Sequence, residues 1–114
     1  MENRSTTAYA ASLVISASPA KLHRVTIYNN SGSAQFIQLH DAASLPADTA
    51  VPKAIIRIAT ASSFVWDFGD SGRVFNTGIV ICNSSSGATK TIGAADCWFD
   101  AQISAVDDYS GRGR

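Results

Sequence analysis

The chain is a succession of short apolar runs cut by Gly, Pro and small polar residues. The clearest run is KLHRVTIYNN, residues 21–30, where apolar and polar positions alternate. A period of two places His23, Val25 and Ile27 on one face of a strand and Leu22, Arg24, Thr26 and Tyr28 on the other. NNSGS, Asn29 to Ser33, carries turn chemistry, because Asn and Gly tolerate positive φ. AQFIQLHD follows with Ile37 and Leu39 opposite Phe36, Gln38 and His40, so the two runs are expected to form a hairpin. AIIRIATA sets Ile56 and Ile58 against Ile55 and Arg57, and SFVWDF puts Phe64, Trp66 and Phe68 on one side.

GIVICNS, Gly78 to Ser84, is a continuous apolar run of the kind found in central strands. CWFDAQIS places Cys97, Phe99, Ala101 and Ile103 on one face, and YAASLVISA is a strand centred on Leu13, Val14 and Ile15 and closed by Pro19. A further short strand is expected at Ala88 to Ile92. AASLPADTAVPK, Ala42 to Lys53, is a loop with Pro46 and Pro52, long enough to cross from one sheet to another. No segment holds helical periodicity over about 11 residues. The expected fold is all-β: a single antiparallel β-sandwich, jelly-roll-like, with 7–8 short strands. It spans residues 1–106, with a polar N-terminal arm over about residues 1–8. The Gly-rich tail DDYSGRGR, residues 107–114, is expected to be flexible.

Composition narrows the function classes. The 114 residues suffice for one modest core, and only 16% are charged. Nine basic residues balance nine acidic ones. That balance gives no electrostatic ground for binding nucleic acid or an anionic membrane, and little repulsion between copies. No apolar run reaches the roughly 18 residues that a membrane-spanning helix needs. Arg4 and the small residues from Ala17 to Ala20 outline a secretory leader faintly, but Glu2, Ser12 and Ser16 interrupt the pattern. Two cysteines, Cys82 and Cys97, make neither a disulfide framework nor a zinc set, and are expected to be buried apolar side chains.

One tetrapeptide invites a catalytic reading. Gly69-Asp70-Ser71-Gly72 matches the surroundings of the nucleophilic serine in chymotrypsin-like proteases, and His40 and several aspartates lie upstream. A nucleophile also needs a base in reach, a group that orients the base, and an oxyanion hole. The protease motif continues Gly-Pro, whereas Arg73-Val74 follow here, so the tetrapeptide is expected to be a hairpin turn. His23 and His40 lack the companions of a metal site. The acids are one Glu and eight Asp, placed mostly at turns and strand ends. Asp67, Asp70 and Asp100 are the acids that a glycosidase reading would pair, and edge or turn roles are expected for them instead. No catalytic residue, metal or cofactor is therefore assigned.

The aromatic residues remain. Phe64 and Phe68 are expected in the core, while Trp66 stands between core and interface because so small a domain has little volume for three large rings. Trp66, Trp98, Tyr28 and Tyr109 are the candidate interface residues.

The stretch LHRVTIYNNSGSAQFIQLHDAASLPADTAVPKAIIRIATASSFVWDFGDSGRVFNTGIVICNSSS resembles a pattern in small structural proteins of tailed bacteriophages. Its marks are V-x-I-Y-N, a Ser/Gly turn, F-I-Q-L-x-D, a Pro-containing loop, and G-I-V-I-x-N-S-S-S ahead of a Thr-rich segment. The resemblance covers roughly residues 20–103. It implies a virion β-sandwich: a capsid decoration or cement protein, or a tail or fibre module. It also implies assembly in the host bacterial cytoplasm, homo-oligomers, and the major capsid protein or another virion protein as partner. It carries over no catalytic residues. The alternative is a carbohydrate- or receptor-binding module of a tail or fibre, with Trp66, Trp98 and Tyr28 as stacking platforms.

Overall fold

A computed structural model describes residues 2–106. Nine strands lie among them: β1 (Glu2–Ser5), β2 (Ser12–Ser16), β3 (Ala20–Asn29), β4 (Gln35–His40), β5 (Ala54–Ile58), β6 (Ser62–Asp67), β7 (Arg73–Phe75), β8 (Ile79–Ser84) and β9 (Cys97–Ser104). They build two antiparallel sheets. The first has the order β1-β9-β3-β6, with β7 also on β3; the second has the order β2-β8-β4-β5. The pairings are nested, with β4 on β5, β3 on β6 and β7, β2 on β8, and β1 on β9. The first half of the chain therefore runs back along the second half, and the resulting ribbon is rolled into two facing sheets. That is the jelly roll expected from the sequence. The strand count exceeds the expected range because one ribbon strand is split into β6 and β7.

Two links exchange the roles read from the sequence. NNSGS does not close a hairpin, since β3 and β4 lie in different sheets. A tight hairpin turn needs positive φ, and none occurs between Asn29 and Ser33. The side chain of Asn29 steers the crossing instead. Fully buried, it donates from Nδ2 to the carbonyl oxygens of Ser33, Ile58 and Ala59 at 3.2, 3.1 and 3.2 Å, and its Oδ1 accepts from Ser31 N at 2.9 Å. The loop from Ala42 to Lys53, expected to cross between sheets, joins the neighbours β4 and β5 within one sheet.

Three further expectations are corrected. Glu2 to Ser5 do not form a loose arm, because they pair with Ile103 to Asp100 as an edge strand. Leu22 is not on the outer face. The register slips between Leu22 and Arg24, and this bulge turns Leu22 into the core together with Val25 and Ile27. Between Ala88 and Ile92 there is one isolated bridge, Ile92 to Ser84, in place of a strand. The tail from residue 107 lies outside the described residues.

The core follows the alternation elsewhere. Ile37 and Leu39 of β4, Ile79 and Ile81 of β8, and Phe99, Ala101 and Ile103 of β9 meet Val25, Ile27 and Phe75 between the sheets. Each fully buried Ile, Leu or Phe contributes ~1.5–3 kcal/mol. The second sheet is also covered on its outer face. Gln38, buried on that side, donates from Nε2 to the carbonyl oxygens of Ser86, Gly87 and Thr89 at 3.0, 2.9 and 3.2 Å, which holds the segment after β8 against the sheet. Lys90 N donates to Ala50 O at 2.8 Å, which ties this segment to the β4–β5 loop. Covering both faces explains why β8 is buried at every position.

Candidate functional site

The tetrapeptide Gly69 to Gly72 is a turn, closed by Gly72 N donating to Gly69 O at 3.1 Å. Its two glycines have φ of 82° and 72°, which side-chain-bearing residues rarely adopt. A Cβ on Gly72 would also lie 3.1 Å from the His23 ring. The turn is not a hairpin, however. β6 and β7 both run antiparallel to β3, so the chain leaves its ribbon strand at Phe68 and rejoins it at Arg73. His40 is not near it. It belongs to β4 of the second sheet, where its Nε2 donates to Gln38 Oε1 at 3.0 Å. Burial first, and the Lys90 charge second, push the His40 pKa down, so the neutral ring is favoured there.

His23 is the histidine that meets the turn. The Gly69 carbonyl oxygen can only accept, so Nδ1 at 3.3 Å donates to it. Nε2 then accepts from the Ser104 hydroxyl at 2.7 Å in the neutral ring. Sequence reasoning passed over this serine, because nothing near Ser104 marks it. The pair fastens the β3 bulge, the 69–72 turn and the end of β9 to one another.

The acids do not converge. Asp67 accepts from Gly69 N at 2.8 Å and lies 3.6 Å from the Arg24 guanidinium. Asp100 pairs across from Thr26 on the other side of β3. With β3 between them, β6 and β9 are two strand spacings apart, ~9.6 Å, before the register offset is added. Asp70 stays in the turn. No group of three metal-ligating side chains occurs among the described residues. Cys82 and Cys97 are free and buried, and burial pushes their thiols up to about 11 and about 12.

The aromatic candidates divide between the two faces of the first sheet. Tyr28 and Trp98 are directly paired across β3 and β9 and project outward. Tyr9, which the sequence did not single out, joins them. Its ring lies 6.0 Å from Trp98, edge-on at 88°, and 6.5 Å from Tyr28. The Ala10–Cys97 bridge puts it there, with Ala10 N donating to Cys97 O at 2.8 Å. Tyr9 is 47% and Trp98 39% exposed, so the patch faces solvent on the outer face of the sheet. No local pattern marks Tyr9, since its position depends on the bridge from the adjacent Ala10 to Cys97, 87 residues away in sequence. Tyr109 lies outside the described residues.

Trp66 and Phe64 are opposite Val25 and Ile27, which places them on the inner face. Trp66 stacks on Phe68 with ring centroids 5.7 Å apart, and both pack half-buried against the core. Phe64, expected in the core, is 37% exposed. β6 is an edge strand, and the strand facing it, β5, is itself an edge strand. In comparisons with known proteins, no family model, no curated protein and no solved structure matches the chain.

Proposed function

We propose that this chain is a structural protein of a tailed-bacteriophage virion, a capsid decoration or cement protein that bridges and stabilises neighbouring coat subunits. The docking part rests on one observation, the aromatic patch on the outer sheet face in which Tyr9 and Trp98 are exposed and Tyr28 is half-buried. Aromatic anchors of this kind concentrate binding energy at protein interfaces. A formal net charge of zero leaves little long-range repulsion between copies gathered on a shell. Weak contacts repeated over such a shell gain strength through multivalency. The virion part rests on the sequence resemblance. The jelly roll agrees with it, although one fold serves many functions.

The test is to purify particles and image them. The chain is expected at regular capsid positions with the patch against coat subunits, and Trp98→Ala is expected to lower its occupancy at least tenfold. Absence from the particle ends the proposal. The same patch favours a second reading, a carbohydrate- or receptor-binding module of a tail or fibre, because an exposed Trp98 ring suits stacking on a sugar. A glycan array with Tyr28→Ala and Trp98→Ala separates the two, since Trp66 lies on the opposite face of the sheet. Lack of sugar binding, or binding indifferent to both changes, removes the second reading.

A further inference from the structure

Each sheet of the roll has two edges, the one beyond β3 being shared by β6 and β7, and an unprotected edge is a template for pairing with another chain. Three of the four edges carry a protective device. In β1, Glu2 and Arg4 lie at inward-facing positions opposite Ile103 and Ala101, and they are ion-paired at 3.3 Å. In β2 the register breaks between Val14 and Ser16. β5 carries Arg57 and is preceded by Pro52 and Lys53.

β6 is the least protected: its one charge is Asp67, the last residue of the strand, 3.6 Å from the Arg24 guanidinium. From Ser62 to Trp66 it contains no charge, proline, glycine or bulge, and its register on β3 runs unbroken from Ser62 to Asp67. Its other side is free, with Val65 52% and Phe64 37% exposed. We propose that β6 pairs with β6 of a second copy of this chain. The two copies would be related by a twofold axis perpendicular to the sheet, which joins two four-strand-wide first sheets into one continuous sheet.

Such an axis keeps the inner faces on one side, so residues of like orientation oppose each other. Centring the pair on Val65 sets Val65 against its own copy on the outer face. It also sets Phe64 against Trp66 of the second copy, twice, on the inner face. The aromatic wall that one sandwich leaves half-covered is then sealed by the other. Asp67, the charge that ends the strand, falls opposite Ser63 rather than opposite another acid. The occupant is a second copy because this register makes β6 complementary to itself.

The inference does not rest on the virion reading and is tested on the isolated chain. Sedimentation equilibrium over a wide concentration range is expected to show dimers with a Kd of roughly 1–100 μM, fitting a small interface. Val65→Lys sets two ammonium groups against each other across the axis and is expected to raise that Kd at least tenfold, with the circular dichroism spectrum unchanged. Val51→Lys, at a site 76% exposed outside the strands, is expected to leave it unchanged. Val65→Cys under mild oxidation is expected to give a covalent dimer on a non-reducing gel. This arm decides the matter if Val65→Lys does not fold. A monomer at every concentration, or an oligomer that Val65→Lys leaves intact and Val65→Cys does not cross-link, overturns the proposal.

Discussion

Asp41, which follows β4 beside the start of β8, fixes the turn between β7 and β8, and replacing it by Asn isolates the part that its charge plays. Oδ1 accepts from the backbone N–H groups of Thr77 at 2.8 Å and Gly78 at 3.3 Å, and Oδ2 accepts from Asn76 N at 3.1 Å. Gly78 passes so close to its neighbours that a Cβ there would lie 2.5 Å from Ala42 O, so the turn has little freedom to find other partners. Asn keeps one acceptor oxygen for Thr77 and Gly78 but turns an amide N–H₂ toward Asn76. One hydrogen bond to a charged acceptor is lost and two are weakened. A bond of this kind contributes ~1.5–3 kcal/mol, and the Lys53 contact at 3.9 Å, being exposed, adds ~0–1 kcal/mol. Asp41→Asn is therefore expected to cost ~1.5–3 kcal/mol at pH 7, or roughly 5–15 °C in Tm. The pH dependence is the sharper check. Burial alone would raise the Asp41 pKa, but the backbone N–H groups of Thr77, Asn76 and Gly78, with Lys53, together hold it below its ordinary 3.8. A depressed carboxylate pKa stabilises the fold above the unfolded value and loses that contribution as pH falls through the folded one. Asn does not titrate. In urea titrations followed by tryptophan fluorescence, the gap between the two proteins should stay constant from pH 7 to 5 and narrow from about pH 4 downward. A gap under about 0.5 kcal/mol at pH 7, or one that persists undiminished to pH 3, would refute this account.

Other consequences follow from buried groups. Gln38→Leu strands three carbonyl oxygens and His40 Nε2, so a loss of ~2–4 kcal/mol is expected, with faster hydrogen exchange at Ser85, which donates to Thr91 O at 2.9 Å. An unchanged exchange rate there would mean that the segment is held by something else. The lowered His40 pKa keeps the native state neutral where the unfolded chain protonates. Stability should therefore fall as pH drops below about 6.5, and His40→Gln should flatten that fall. Both thiols, buried and with raised pKa values, should resist a disulfide reagent at pH 8 and react in guanidinium; a fast native reaction would place one of them at the surface.

Alternation made the strands legible and left their pairing obscure. Ile37, Leu39, Phe99, Ala101 and Ile103 face inward as their period requires, and GIVICNS occupies a central strand. The links were misread, because turn chemistry in NNSGS reports a local bend and not the sheet in which the next strand lands. That outcome depends on Asn29 meeting the carbonyls of Ile58 and Ala59, about 30 residues away. The bulge at Leu22 has the same character, since a one-residue slip reverses every face beyond it. Of the candidate patch, Tyr28 and Trp98 were visible as aromatics on the polar faces of their strands. Tyr9 was not, because it sits outside any strand and is placed by the far side of the sheet.

Phe64 shows where the rule of alternation stops. It shares a face with Trp66 and, through the pairing, with Val25 and Ile27, as the pattern says. Sharing a face with core residues buries a side chain only where an opposing sheet lies over it. The strand across from β6 is β5, an edge itself, which turns Ala54, Ile56 and Ile58 inward, and of these only Ile58 is fully buried. Two edges facing each other cannot cover three large rings. Phe68 gains cover from the Trp66 ring and from Arg73, whose guanidinium lies 6.0 Å above it. Phe64, farther along the strand, has no such ring or guanidinium partner among the described residues and remains exposed. The opposite seam meets the same shortage of cover with Glu2 and Arg4, which tolerate water. The β6 seam meets it with rings that do not, and that difference between the two seams makes β6 the side on which another chain is expected.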